Sequence, residues 1–368
     1  MNLSVGIIGL ENSGKTALFQ ALTRGIRSSG RSGMATISVP DDRLRVLAEM
    51  VHPKRIVPAG VQIVDVGGVG RGAGESGGLG AQFLSALQGI EALAIVLRFY
   101  SRPDIGFGPE AASPVEDLES ILLELSLSDL GRVQKRLERT SKAARGGDLT
   151  AKREEDTLLR IQATLDEGKP ASTLGLQTAE TESLKDLGLL TLKPMIYVAN
   201  VSEADLGPAL DSGMEDASGV RDVLEELGAA ARSRGAELAV VSAQTEAELG
   251  ELSEDDAREY LGSLGVSDTG IDRFVRTAYG LLDWITFLTA GEPEVRAWTV
   301  RSGAKAPEAA GQIHSDIERG FIRAEVTAWD DLVAAGSPEA AKRSGKTRLE
   351  GKDYVMKEGD VVYFRFNI

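Results

Sequence analysis

The chain has 368 residues, 42% hydrophobic and 26% charged, with a formal net charge of −15, enough length for two or three domains with a substantial core. It has no cysteine and only two histidines, His52 and His314, which excludes disulfides and thiolate chemistry and argues against a histidine-built zinc site. The acidic balance speaks against DNA or anionic lipid as a partner, no apolar run approaches the roughly 18–20 residues of a membrane span, and MNLSVGIIGLENSGKT lacks the marks of a signal peptide; a cytoplasmic protein is expected.

Residues 3–8 read as a buried strand and 16–23 as a helix entered through a glycine-rich turn. Residues 41–50 carry Leu44, Leu47 and Ala48 on one helical face, with Asp41 as a cap. A second strand at 61–66 runs into GGVGRGAGESGGLG, a loop by composition. A helix through 83–87 and a buried strand at 92–100 follow, and this alternation means a parallel α/β sheet. Between 113 and 168, two long charged stretches with apolar residues at three- and four-residue spacing flank Gly146-Gly147-Asp148, the pattern of an inserted antiparallel helical hairpin. The α/β rhythm resumes with a strand at 194–201, a helix at 220–234 and a strand at 237–242. From about 282 the chain turns β-rich, with a helix expected at 307–319 and a terminal hairpin turning at Glu358-Gly359-Asp360.

The chemistry starts at Gly9-Leu10-Glu11-Asn12-Ser13-Gly14-Lys15-Thr16, a full phosphate-binding loop signature between a strand and a helix. Its glycines let successive backbone N–H groups face a β-phosphate, Lys15 supplies a cation to the β- and γ-phosphates, and the Thr16 hydroxyl offers a magnesium ligand. The helix that follows adds the positive end of its dipole. Val61 to Gly68 is an apolar strand ending in D-x-x-G, in which Asp65 is expected to hold magnesium through water and the Gly68 N–H to sense the γ-phosphate. Asn200-Val201-Ser202-Glu203 and Ser242-Ala243-Gln244 each end a strand, where GTPases carry N-K-x-D and S-A-x for the base. Val201 stands for the Lys that packs on guanine, and Glu203 for the Asp that accepts its two donors, so guanine specificity is expected to be lost.

The order GLENSGKTALF, VDVGGVGRGAGESGGLGAQFL, YVANVSEAD and RAWTVRSGAKAPEAAGQIHSDIERGFIRAEV, with the ending EGKDYVMKEGDVVYFRFNI, resembles the YchF family of Obg-related P-loop NTPases over essentially the whole chain. The resemblance implies an α/β P-loop NTPase G domain over 1–112 and 190–281, the inserted antiparallel helical hairpin at 113–189, and a C-terminal β-grasp-like TGS domain at 282–368. It implies an ATPase that prefers ATP to GTP and associates with the ribosome, its large subunit or rRNA, as a nucleotide-dependent switch. The residues carried over are Asn12, Ser13, Gly14, Lys15, Thr16 and Ala17 for the phosphates, and Asn200, Val201, Glu203, Ser242, Ala243 and Gln244 for the base. Thr16, Thr36 and Asp65 are carried over for magnesium, and Lys15, Asp65 and Gly68 for catalysis. Asn12 also matches a position where related GTPases bind potassium.

One segment departs from the family: that after Thr36 is short, running almost directly into Val39-Pro40-Asp41. Val69 after D-x-x-G keeps the family's habit of a hydrophobic residue where Ras-like GTPases orient the attacking water with a Gln. Arg71 is a candidate internal arginine finger, and Lys342, Arg343, Lys346, Arg348 and Lys352 form a basic cluster that reads either as a soluble loop or as an RNA-facing patch. Two alternatives stay open beside the ATP-hydrolysing switch: a nucleotide-dependent ribosome- or RNA-binding adaptor with vestigial hydrolysis, and a GTPase.

Overall fold

Burial along whole strands decides the centre of the first sheet. In the computed structural model, which describes residues 3–23, 33–67, 81–100 and 113–367, β1 (Ser4–Ile8) is buried at every position. Later strands are β2 (Met34–Ser38), β3 (Ile56–Val57), β4 (Gly60–Asp65), β5 (Ala92–Phe99), β6 (Met195–Val201) and β7 (Glu237–Val241). β6 is buried throughout and β5 nearly so, as suits strands covered by helices on both faces. The sheet order is β2-β4-β1-β5-β6-β7. β1 pairs in parallel with β4 and β5, β5 with β6, and β6 with β7. The parallel α/β expectation holds, and the P-loop leaves β1 from the interior of the sheet.

The inserted helices form as their sequence predicts. The Pro114–Arg145 helix opens on a capping box: Ser113 Oγ accepts from Glu116 N at 3.2 Å, and Glu116 Oε2 accepts from Ser113 N at 2.9 Å. Asp148 caps the Leu149–Asp166 helix through Thr150 N and Ala151 N. Val133 and Leu137 share a small core with Leu158, Ile161 and Leu165. The first half of the long helix behaves differently. Leu118, Ile121, Leu122 and Leu125 join the core beneath β5 and β6. The insertion is therefore continuous with the nucleotide-side fold, contrary to the separate 113–189 domain read from the sequence.

A second boundary also moves. The chain divides into one unit of residues 1–37 and 62–281 and another of 38–61 and 282–368. Residues 38–61, expected inside the G domain, belong to the C-terminal unit. Within that unit are α2 (Asp42–Val51), β8 (Trp284–Ala290), β9 (Val295–Arg301), β10 (Phe321–Ala328), β11 (Arg348–Glu350) and β12 (Asp360–Phe366), and the sheet order is β11-β10-β12-β8-β9-β3. β3 pairs in parallel with β9, and α2 buries Leu44 and Leu47 as it packs on β8 and β9. Asp41 caps α2 as predicted, accepting from Arg43 N at 3.0 Å.

Two local expectations fail in this unit. The helix expected at 307–319 breaks at His314, whose Nδ1 accepts from Asp316 N at 3.1 Å and caps a second short helix. The terminal hairpin does not form: ahead of β12 the chain makes one isolated bridge, Val355 to Lys305, and β12 pairs with β10 and β8 instead. Side chains replace the missing ladder, since Asp360 Oδ2 accepts from Lys357 N at 2.9 Å and from the Tyr354 hydroxyl at 2.8 Å. In the basic cluster Lys342, Lys346 and Arg348 form exposed ion pairs with Glu325, Asp331 and Glu350. No helix among the described residues is long and apolar enough to cross a membrane.

One buried carboxylate joins the insertion to the 3-10 turn that leads into β6. Asp129 accepts from Leu190 N at 2.8 Å, Thr191 N at 2.7 Å and Thr191 Oγ1 at 2.7 Å, while burial pushes its carboxyl above the usual range. Asp129→Ala strands two buried N–H groups at a cost of about 1–3 kcal/mol each. A clearly lowered urea midpoint is the expected outcome, and an unchanged midpoint contradicts this role.

Candidate functional site

The loop from Gly9 to Gly14 joins β1 to α1 (Lys15–Leu22), and contact rather than taste selects its glycines. A Cβ on Gly9 would lie 2.6 Å from the Val96 carbonyl oxygen, and one on Gly14 would lie 2.1 Å from Asn200 Nδ2. Gly14 also has φ 89°, in the left-handed region that favours glycine. Asn12, at φ 62°, takes the same region, which Asn tolerates better than most side chains, and its carbonyl accepts from the Tyr100 hydroxyl at 3.0 Å.

Lys15 lies along the loop, 8% exposed, and its Nζ donates to the Leu10 carbonyl at 2.5 Å. Burial pushes its ammonium pKa down, and the Asp65 and Glu11 carboxylates pull it back up. Asp65 ends β4 opposite Ile7 of β1, and its Oδ1 accepts from Gly67 N at 3.1 Å. Ser13 Oγ is buried with no hydrogen-bond partner among the described residues, and the Thr16 and Ala17 side chains are exposed on the first turn of α1. A crowded glycine cradle, an orphaned hydroxyl, a converging cation and a carboxylate fit a magnesium-bound polyphosphate.

Thr36 does not join this group. Asp65 N donates to the Gly33 carbonyl at 2.6 Å, so the residue beside Asp65 is Gly33. Thr36 lies three residues further along β2, about 10 Å away by strand rise, with its side chain exposed. Thr36 and the two residues after it complete the edge strand β2. Gly68, Val69 and Arg71 lie outside the described residues.

The base-side motif divides its labour unexpectedly. Asn200 is 4% exposed and joins two loops: its Nδ2 donates to the Ser13 carbonyl at 3.1 Å, and its Oδ1 accepts from Ala243 N at 3.0 Å. The Ala243 N–H, expected at the base, is thereby committed to Asn200. Val201 is 2% exposed within the core beneath the sheet, so its side chain cannot pack on a base. Ser242 caps the Ala243–Leu249 helix, and Gln244 Nε2 donates to Glu248 Oε1 at 3.1 Å. Glu203 opens the Glu203–Leu210 helix, which Ser202 caps, while the Tyr260 hydroxyl donates to Glu248 Oε2 at 3.3 Å. Tyr100 and Tyr260 carried no motif, and nothing in their sequence context marks them.

With this geometry in hand, comparison with known proteins is decisive. Residues 4–130 match the family described as 50S ribosome-binding GTPase, and residues 284–367 match a C-terminal YchF-GTPase family described as a protein of unknown function. The chain is 42% identical to the ribosome-binding ATPase YchF of Bacillus subtilis across 100% of both chains. It belongs to the YchF family. The YchF of Haemophilus influenzae is 39% identical over 100% of both chains, and the Obg-like ATPase 1 of Caenorhabditis elegans 36% identical over 100% of this chain and 92% of its own. The solved Schizosaccharomyces pombe YchF GTPase superposes with a TM-score of 0.86 at 30% identity, over 99% of this chain and 98% of that one. The YchF fold is thus established across both units.

Asn200→Ala removes the donor to Ser13 and leaves the buried Ala243 N–H unpaired. At about 1–3 kcal/mol per stranded group, nucleotide affinity should fall by roughly tenfold or more. Titration with a fluorescent nucleotide reads this directly, and unchanged affinity contradicts the tie.

Proposed function

We propose that this YchF-family chain is a nucleoside triphosphatase that prefers ATP to GTP and works as a nucleotide-dependent switch on the ribosome. The observation that carries the triphosphatase reading is Lys15 held inside the glycine cradle, electrostatically coupled to Asp65. Two further features support the ATP preference. Val201 is buried in the core, so its side chain cannot pack on a base, and Glu203 replaces the Asp that accepts from guanine. The ribosome enters through the relatives, two of which are named ribosome-binding ATPases.

Thr16 and Asp65 are the residues that would hold magnesium, and the ion would neutralise charge on the β- and γ-phosphates. The protein's own contribution would be the row of loop N–H groups, the Lys15 ammonium released from the Leu10 carbonyl, and the N-terminal end of α1, each able to meet phosphate oxygens. Asn12, exposed at its left-handed turn, is the residue we assign to a potassium ion.

The position of Thr36 in β2 favours slow basal turnover completed by a partner. Unassisted Ras-like hydrolysis runs at about 10⁻⁴ to 10⁻³ per second and a partner accelerates it by up to roughly 10⁵-fold. Purified protein should therefore turn over ATP more slowly than about one per second, with ribosomes raising the single-turnover rate. Lys15→Ala should lower that rate at least about a hundredfold, because a fixed cation on the transferring group is lost. Hydrolysis by Lys15→Ala at the wild-type rate would place the chemistry elsewhere.

A further inference from the structure

Side chains from two strand ends meet on the backbone of the phosphate-binding loop. Tyr100 directly follows β5, and Asn200 lies near the end of β6, which pairs with β5 so that Arg98 stands beside Asn200. The Tyr100 hydroxyl donates to the Asn12 carbonyl at 3.0 Å, and Asn200 Nδ2 donates to the next carbonyl, that of Ser13, at 3.1 Å. The carbonyl after that, of Gly14, accepts from Leu18 N at 2.9 Å in the first turn of α1. Gly14 lies between the two side chains: a Cβ there would stand 2.1 Å from Asn200 Nδ2 and 3.4 Å from the Tyr100 hydroxyl oxygen. Three consecutive loop carbonyls are thus each held by a donor.

A planar trans peptide points its C=O and its N–H in opposite directions. Fixing the Asn12 carbonyl therefore fixes the Ser13 N–H on the other side of the same plane. That N–H makes only a long contact, 3.4 Å, with the Leu10 carbonyl, which Lys15 Nζ approaches at 2.5 Å. Asn12 itself sits at φ 62°, a region disfavoured for a residue with a Cβ, so the turn gains from an external hold. Asn200 and the helix hold the second and third peptides, and Tyr100 holds the first. We infer that Tyr100 is a positioning residue for the nucleotide phosphates, which aims the Ser13 N–H at the β-phosphate through the Asn12 carbonyl. The inference rests on the triphosphatase reading and adds a residue that no motif marks. In this loop signature the backbone N–H groups cradle the α- and β-phosphates, and ordering them before the ligand arrives lowers the cost of binding.

The test uses the full-length chain in magnesium buffer, with calorimetric titration by ADP and by a non-hydrolysable ATP analogue, and phosphorus NMR of bound ADP. Tyr100→Phe keeps the ring and deletes only the hydroxyl. Affinity for both nucleotides should fall by about fivefold, the scale of one neutral hydrogen bond, because both carry a β-phosphate. The β-phosphorus resonance of bound ADP should leave its wild-type position while the α-phosphorus resonance stays. Weaker binding with both resonances unmoved, or both moved together, reports a merely structural role and overturns the inference. Unchanged affinity in Tyr100→Phe also overturns it, and leaves the triphosphatase reading standing. If the wild type binds neither nucleotide, that reading fails and the inference falls with it.

Discussion

The side-chain amide of Asn200 is the interaction on which the rest of the site depends. One residue at the end of β6 uses its donor on the P-loop carbonyl of Ser13 and its acceptor on the N–H of Ala243. Gly14 must be glycine because that amide lies against it. Phosphate-side and base-side loops are thereby held in one geometry before any ligand arrives, which lowers the ordering cost of binding. An amide suits the task because it offers a donor and an acceptor on one rigid plane. The same arrangement explains why Asn200 keeps its identity here while its neighbours in the motif do not.

The chain between Thr36 and Asp65 carries a second constraint. It leaves β2, folds with the C-terminal unit through 38–61, and returns in β4, whose last residue is Asp65. Inside that unit it is well anchored. Arg43 pairs with Asp41 at 2.8 Å and with Glu358 at 2.6 Å, and Glu358 in turn accepts from Thr286 N at 2.7 Å. Two residues expected to sense magnesium thus stand at the two ends of a segment whose middle is committed to another fold.

Much of this was legible in the sequence because the relevant signals are local. The strand–glycine turn–Lys–Thr–helix order, the Asp41 cap, the Ser113 capping box and the Gly146-Gly147-Asp148 turn each need only a few neighbouring residues. The misses are all matters of long-range partnership. No periodicity reveals that residues 38–61 pack with a sheet more than two hundred residues away, or that Leu118 to Leu125 share a core with β5 and β6. The ion pairs of Lys342 with Glu325 and of Lys346 with Asp331 likewise join residues well apart in the sequence.

The central claim is that this scaffold binds a magnesium-bound triphosphate and selects it by what Glu203 no longer does. Calorimetric titration of the wild-type chain with ATP and GTP, side by side in magnesium buffer at one salt concentration, tests it most directly. The account predicts saturable one-site binding of ATP, tighter than that of GTP. Tight GTP binding with negligible ATP binding would contradict it.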